Sequence, residues 1–130
     1  MSRADALRAQ INKGRGETVA YDLTQENPSL VKDWISTGSR WLDSIVAKGV
    51  YGGIPMGKIV EIAGRPSTGK SYLGMQIAKN ALAKDYDVVY FDSESAIDPD
   101  FLARMGINVN DIVYVEAESC EFVLETIRRR

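Results

Sequence analysis

The sequence predicts an α/β fold with a parallel-dominated sheet. Two observations carry that expectation. From Ser36 onward, short apolar strand patterns alternate with helical ones, the order of βαβ units. A glycine-rich loop also joins one such strand directly to an amphipathic helix. The composition agrees: 45% hydrophobic and 26% charged residues over 130 positions describe an ordinary globular chain and exclude wholesale disorder. A chain of this length suits one domain and buries roughly two-thirds of its unfolded surface.

Residues Ser2 to Lys13 read as a short amphipathic helix. Ser2 and Asp5 have capping-box spacing, and Ala4, Leu7 and Ile11 share a face. Gly14 and Gly16 break it, Val19 to Leu23 is a candidate short strand, and Pro28 marks a turn. Residues 1–35 are therefore expected to form an arm, and residues 36–130 the core. In the core, Thr37 or Ser39 can cap a helix whose apolar face is Leu42, Ile45 and Val46. Gly49, Gly52, Gly53, Pro55 and Gly57 make a turn-rich loop. A strand at Lys58–Ala63 precedes a helix over about Lys70–Lys84, with Leu73, Ile77, Ala78 and Leu82 at helical spacing. A second strand spans Asp87–Asp92. A short helix follows Pro99, with Phe101, Leu102 and Met105 inward. A third strand covers Ile112–Val115, and Ser119 caps a last helix carrying Phe122, Val123 and Ile127.

The residue inventory excludes several chemistries. Without histidine there is no His-ligated metal and no Ser-His or Cys-His triad; one cysteine, Cys120, makes neither an internal disulfide nor a Cys-rich zinc site. The formal charge of -2, from 16 basic and 18 acidic residues, gives no global basic footprint for nucleic acid. The start of the chain lacks the apolar core of a signal peptide, and no apolar run reaches the roughly 18 residues of a membrane span. A cytoplasmic protein without membrane contact is the expectation. Arg128, Arg129 and Arg130 read either as a nucleic-acid patch or as cations suiting the end of a helix dipole.

The strongest signal is Gly64-Arg65-Pro66-Ser67-Thr68-Gly69-Lys70-Ser71, a full match to GxxxxGK[ST] between a strand and a helix. Gly64 and Gly69 allow the backbone to curl around an oxyanion. Amides from Ser67, Thr68, Gly69, Lys70 and Ser71 then point inward as an anion nest at a helix start. Lys70 reaches the β- and γ-phosphates as a point charge, and the Ser71 hydroxyl can ligate Mg2+. Nucleoside triphosphate binding follows.

The second strand ends in Asp92-Ser93-Glu94, at the carboxyl edge where parallel sheets place their ligands. Asp92 reads as a Walker-B-type magnesium acid or as a strand-end acid capping the next turn. Glu94 reads as a general base for water or as another solvated acid. Asp98-Pro99 is a common helix start, and Phe101 is a core residue or an aromatic face for a base.

These residues resemble the RecA recombinase family. The resemblance rests on Ile54–Gly64, the phosphate loop, and Asp92-Ser93-Glu94-Ser95-Ala96-Ile97-Asp98-Pro99, and it runs from about Ser36 to the end. The stretch Phe101–Ile107 is most similar to the phage branch of that family, the UvsX-type recombinases of bacteriophage. The resemblance implies a RecA-like P-loop ATPase core that uses ATP and Mg2+. Glu94 matches the catalytic glutamate, Lys70 and Ser71 match the phosphate and magnesium residues, and Asp98 and Phe101 match positions beside the adenine. Asp92 does not match the Walker B acid. The helix and strand from Ala4 to Leu23 match the arm that packs on a neighbouring protomer in a homo-oligomeric filament. Two departures stand out: Arg65 where bacterial members usually have Pro, and Phe101 where they favour Tyr.

The family's Walker B strand and its DNA-binding loops are expected beyond residue 130, which falls inside a predicted helix. The implied function is a DNA-dependent ATPase that filaments on single-stranded DNA and promotes homologous pairing and strand exchange in recombination and repair. Two other readings compete. One is a related ATPase of helicase-type, clock-type or RadA-like kind, against which Phe101–Ile107 argues. The other is a truncated nucleotide-binding fragment without activity of its own.

Overall fold

A computed structural model describes residues 2–25 and 28–128. They form two compact units, one running through Lys32 and the other starting at Asp33.

The first unit contains α1 (Arg3–Arg15). Its start is the capping box anticipated from Ser2 and Asp5: the Asp5 amide donates to the Ser2 hydroxyl at 3.2 Å, and the Ser2 amide to Asp5 Oδ2 at 2.7 Å. Gly16 ends the helix in the left-handed region at φ 72°. The strand expected at Val19–Leu23 does not form. Asn12 takes the place of a partner strand: its Oδ1 accepts from the amides of Val19 (3.0 Å) and Ala20 (2.8 Å), and its Nδ2 donates to the Ala20 carbonyl at 3.0 Å. A side chain satisfies those backbone groups, so no ladder is needed. Arg8 pairs with Asp5 and, at 3.3 Å, with Asp22. No residue of α1 is buried, and Leu7, Ile11, Val19 and Leu23 are exposed.

The second unit opens with β1 (Trp34–Ile35), paired antiparallel with β2 (Ile54–Pro55), inside the stretch expected to be a loop. Gly53 makes this pairing possible. Its φ is +92°, and a Cβ there would stand 2.3 Å from the Ile35 carbonyl oxygen. Between the strands lies α2 (Arg40–Val46), capped by Ser39 rather than Thr37. The expected apolar face of α2 is not its buried face: Ile45 is 71% exposed, while Asp43 and Ala47 are buried. Asp43 turns inward because donors await it, the Ser36 hydroxyl at 2.6 Å and the Thr37 amide and hydroxyl at 2.7 and 2.6 Å.

Lys58–Ala63 is not a strand, contrary to expectation. No described strand pairs with it, and Ile59, Val60 and Ile62 are all exposed; an apolar run without a ladder partner or a covering face has neither of the interactions that define a strand. The helix after the glycine-rich loop is α3 (Lys70–Leu82). It is followed by β3 (Val88–Asp92), α4 (Pro99–Arg104), a 3-10 turn at Val109–Asp111, β4 (Ile112–Glu116) and α5 (Cys120–Arg128). β3 and β4 pair in parallel, Val88 opposite Ile112 through to Asp92 opposite Glu116. This is an α/β arrangement with a helical crossover.

The core lies between α3, α4 and the parallel pair. Met75, Ala78, Leu102 and Ile107 are buried, with Leu82, Val88, Tyr90, Phe101 and Met105 packed around them. Met75, at 1% exposure, is its centre, a position outside the apolar set read from the sequence. β1 is tied to the far end of α3 by polar contacts. Asn80 donates to the Ser36 carbonyl at 2.8 Å, Lys84 to Asp33 and to the Trp34 carbonyl, and the Tyr86 hydroxyl to Asp33 at 2.6 Å. Ser119 caps α5 as expected, its hydroxyl accepting from the Phe122 amide at 3.2 Å. Phe122 and Ile127 on that helix remain exposed. Of the three terminal arginines only Arg128 lies within the described residues, at the last turn of α5. Among the described residues, no helix is long and apolar enough to cross a membrane.

Candidate nucleotide site

The loop at residues 64–69 rises from the irregular 58–63 segment and feeds into α3. Its curvature depends on two left-handed residues, Ser67 at φ 58° and Gly69 at φ 97°. Gly69 is the N-cap of α3 and supplies no side-chain cap, and the first turn holds no acid. The first amides of α3 therefore carry the positive end of the helix dipole with no acid of their own turn beside them. The loop closes on itself through side chains. The Thr68 hydroxyl donates to the Arg65 carbonyl at 2.7 Å, and Lys70 Nζ donates to the carbonyls of Gly64 (2.9 Å) and Arg65 (2.8 Å). Lys70 thus holds its ammonium over the mouth of the loop.

A cleft of about 560 Å³ opens there. Pro66, Ser67, Gly69, Lys70, Ser71 and Tyr72 line it from the loop and α3, and Glu94 lines it from the segment after β3. Residues separated by more than twenty positions in sequence thus meet at one opening. A smaller neighbouring cleft joins Ser71 and Glu94 to Phe101. Phe101 packs edge-on against Tyr72, with ring centroids 6.1 Å apart and planes at 62°. Asp98 is not among the residues lining the larger cleft; it caps α4, accepting from the Asp100 amide at 3.0 Å. Gly64 and Thr68 serve the loop's internal bonding rather than that cleft's lining.

Asp92 is 6% exposed, and its oxygens are taken up by the protein. Oδ1 accepts from the Glu94 amide at 3.0 Å; Oδ2 accepts from the amides of Ala96 (2.9 Å) and Ile97 (3.2 Å) and from the Tyr114 hydroxyl at 3.1 Å. Burial raises its pKa, but those four donors together outweigh burial and hold the acid below its ordinary value. Asp92 therefore caps the turn after β3, and it also lines the smaller cleft beside Ser71 and Glu94. Sequence reasoning kept that capping role open but missed Tyr114 as a donor; the signal was the alternation that puts Tyr114 of β4 on the same sheet face as Asp92.

The donor set fits a polyphosphate: free helix-start amides, a left-handed glycine and a poised ammonium. Among the described residues, no three carboxylate or thiol groups cluster as a metal site. The RecA N-terminal domain model matches residues 3–129. The chain belongs to the RecA family. Its α/β core is RecA-like, with the parallel β3–β4 pair as part of the sheet. It is similar to the RecA proteins of Laribacter hongkongensis (38% identical over 122 residues), Gluconobacter oxydans (37% over 128) and Rickettsia bellii strain RML369-C (35% over 120). These alignments cover 92%, 96% and 92% of this chain and 33%, 36% and 34% of the respective relatives. The chain spans about a third of the length of these RecA relatives.

Proposed function

We propose that this chain supplies the ATP-binding part of a DNA-dependent recombinase ATPase. The observation that carries the reading is the single cleft shared by Lys70, Ser71 and Glu94. Ser67, Gly69, Lys70 and Ser71 present amides to the phosphates, with Gly64 and Thr68 shaping the turn. The Lys70 ammonium would exchange its carbonyl partners for phosphate oxygens, and the Ser71 hydroxyl would be the protein's ligand to Mg2+. The bound ion would neutralise charge on the β- and γ-phosphates. Glu94, on the opposite wall, orients a water and accepts its proton, and Lys70 stabilises the negative charge that develops. Phe101, reached through the adjoining cleft, and Asp98, one turn before it, serve the base.

At the level of the whole protein, the reading is a cytoplasmic recombinase that filaments on single-stranded DNA and drives homologous pairing and repair. The DNA contacts belong to loops outside this chain, and residues 1–35 serve as the arm that meets a neighbouring protomer. The exposed apolar row of Leu7, Ile11 and Val19 supports that role for the arm. Within the family, the stretch Phe101–Ile107 favours the phage branch; the relatives described above are bacterial.

The test is nucleotide binding and hydrolysis by wild type, Lys70→Ala and Glu94→Gln. Lys70→Ala is expected to weaken ATP binding roughly 10- to 100-fold, the loss of a charge-assisted contact. Glu94→Gln keeps the affinity and slows turnover by about 10²–10⁴-fold. Unchanged binding in Lys70→Ala sinks the phosphate-loop assignment, and unchanged turnover in Glu94→Gln sinks the base.

A further inference from the structure

We infer that Asp92, steadied by Tyr114, is a positioning residue that fixes the loop presenting Glu94 to the cleft. The inference rests on Glu94 as the base and adds what holds it in place. Ser93, Glu94, Ser95 and Ala96 are exposed, so apolar burial does little to anchor this loop. The Asp92 carboxylate anchors it instead, gathering the amides of Glu94, Ala96 and Ile97 around one buried group. The amide of the base itself is among them, so the backbone that carries Glu94 is set by Asp92 directly.

Strand β4 locks the arrangement from the other side. The Tyr114 hydroxyl donates to Asp92 Oδ2 at 3.1 Å, and the Ala117 amide donates to the Asp92 carbonyl at 2.9 Å. Ser95 sits in the left-handed region at φ 51°, a conformation a serine adopts only when its surroundings require it, and its hydroxyl donates to Glu116. The β3–β4 register, with Asp92 opposite Glu116, therefore reaches the loop through the Asp92 carboxylate and, beside it, through the Ser95–Glu116 bond. Any shift of β4 against β3 would be felt at Glu94 through Asp92. On this reading Asp92 touches neither phosphate nor metal.

The experiment uses the full chain in three forms: wild type, Asp92→Asn and Tyr114→Phe. Amide exchange by NMR at Glu94, Ala96 and Ile97 is read beside exchange within α3, affinity for a fluorescent ATP analogue, and turnover. In Asp92→Asn the three loop amides are expected to exchange about tenfold or more faster, the equilibrium equivalent of one lost charge-assisted hydrogen bond, while α3 stays at wild-type rates. Nucleotide affinity stays within about twofold, because the phosphate loop lies on the other wall, and turnover falls about tenfold or more. Tyr114→Phe, which removes one hydroxyl at a half-exposed position, shows the same changes with smaller size. Loop exchange at wild-type rates in Asp92→Asn overturns the proposal, as does loosened exchange with unchanged turnover. If the wild-type chain binds nucleotide without turning it over, the three exchange rates alone decide. Failure of the underlying reading shows elsewhere, as wild-type turnover in Glu94→Gln.

Discussion

At the scale of single residues, two buried aspartates do the work that neither charge nor hydropathy alone would assign to them. Asp43 and Asp92 are 4% and 6% exposed, yet each is surrounded by donors rather than by cations. A buried carboxylate without such donors would be neutralised or expelled. For Asp43, burial pushes the carboxyl up, and the hydroxyls of Ser36 and Thr37 with the Thr37 amide together hold it below its ordinary value. Asp43→Ala leaves those donors facing an apolar methyl, and a loss of about 2–4 kcal/mol is expected in urea unfolding. The DxE pattern after a strand made Asp92 and Glu94 visible as a pair. Which of the two turns inward was not legible, because that depends on Tyr114 arriving from another strand.

Among the elements, β3 and β4 were read to within one residue, and α3 is the helix whose extent was most readable. A glycine–lysine start and a run of helix formers bound it correctly within two residues at its far end. Its buried stripe was less readable. Met75 and Ala78 are buried and the half-buried Leu82 packs against them, whereas Leu73 and Ile77, equally half-buried, are not part of that cluster. Two adjacent apolar stripes are present on one helix, and the sheet chooses between them. Met75→Ala is expected to cost about 2–5 kcal/mol, since the site is enclosed by α4 and the parallel pair; Leu73→Ala should cost clearly less in the same thermal unfolding series. The 58–63 segment shows the opposite case. Its strand-like composition is plain, but β structure is a property of pairs, and no described strand offers it a ladder. β1 and β2 were missed for a related reason: two residues each leave no periodicity to detect.

For the whole molecule, charge and acid stability are linked through the second unit. Lys84 above all, then the Tyr86 hydroxyl and the Trp34 amide, bring the Asp33 carboxyl down to about 2. Asp33, Asp43 and Asp92 all titrate below the ordinary value of 3.8. A depressed carboxylate stabilises the folded state fully above its unfolded value and loses that contribution as pH falls through its folded one. The second unit is therefore expected to hold its stability down to about pH 4 and to lose it toward about pH 2; a urea midpoint flat across that interval would contradict the linkage. The sequence by itself determined the glycine-rich loop, the helix behind it, the acid pair after β3 and the α/β class, because each depends on residue types at fixed local spacing. Tertiary structure alone decided that Glu94 faces Lys70 across one cleft, that Asp92 is spent on its own loop, and that Val19–Leu23 bonds to Asn12 instead of to a strand. Those outcomes depend on which donors meet which acceptors across distant segments, and no local pattern encodes that meeting.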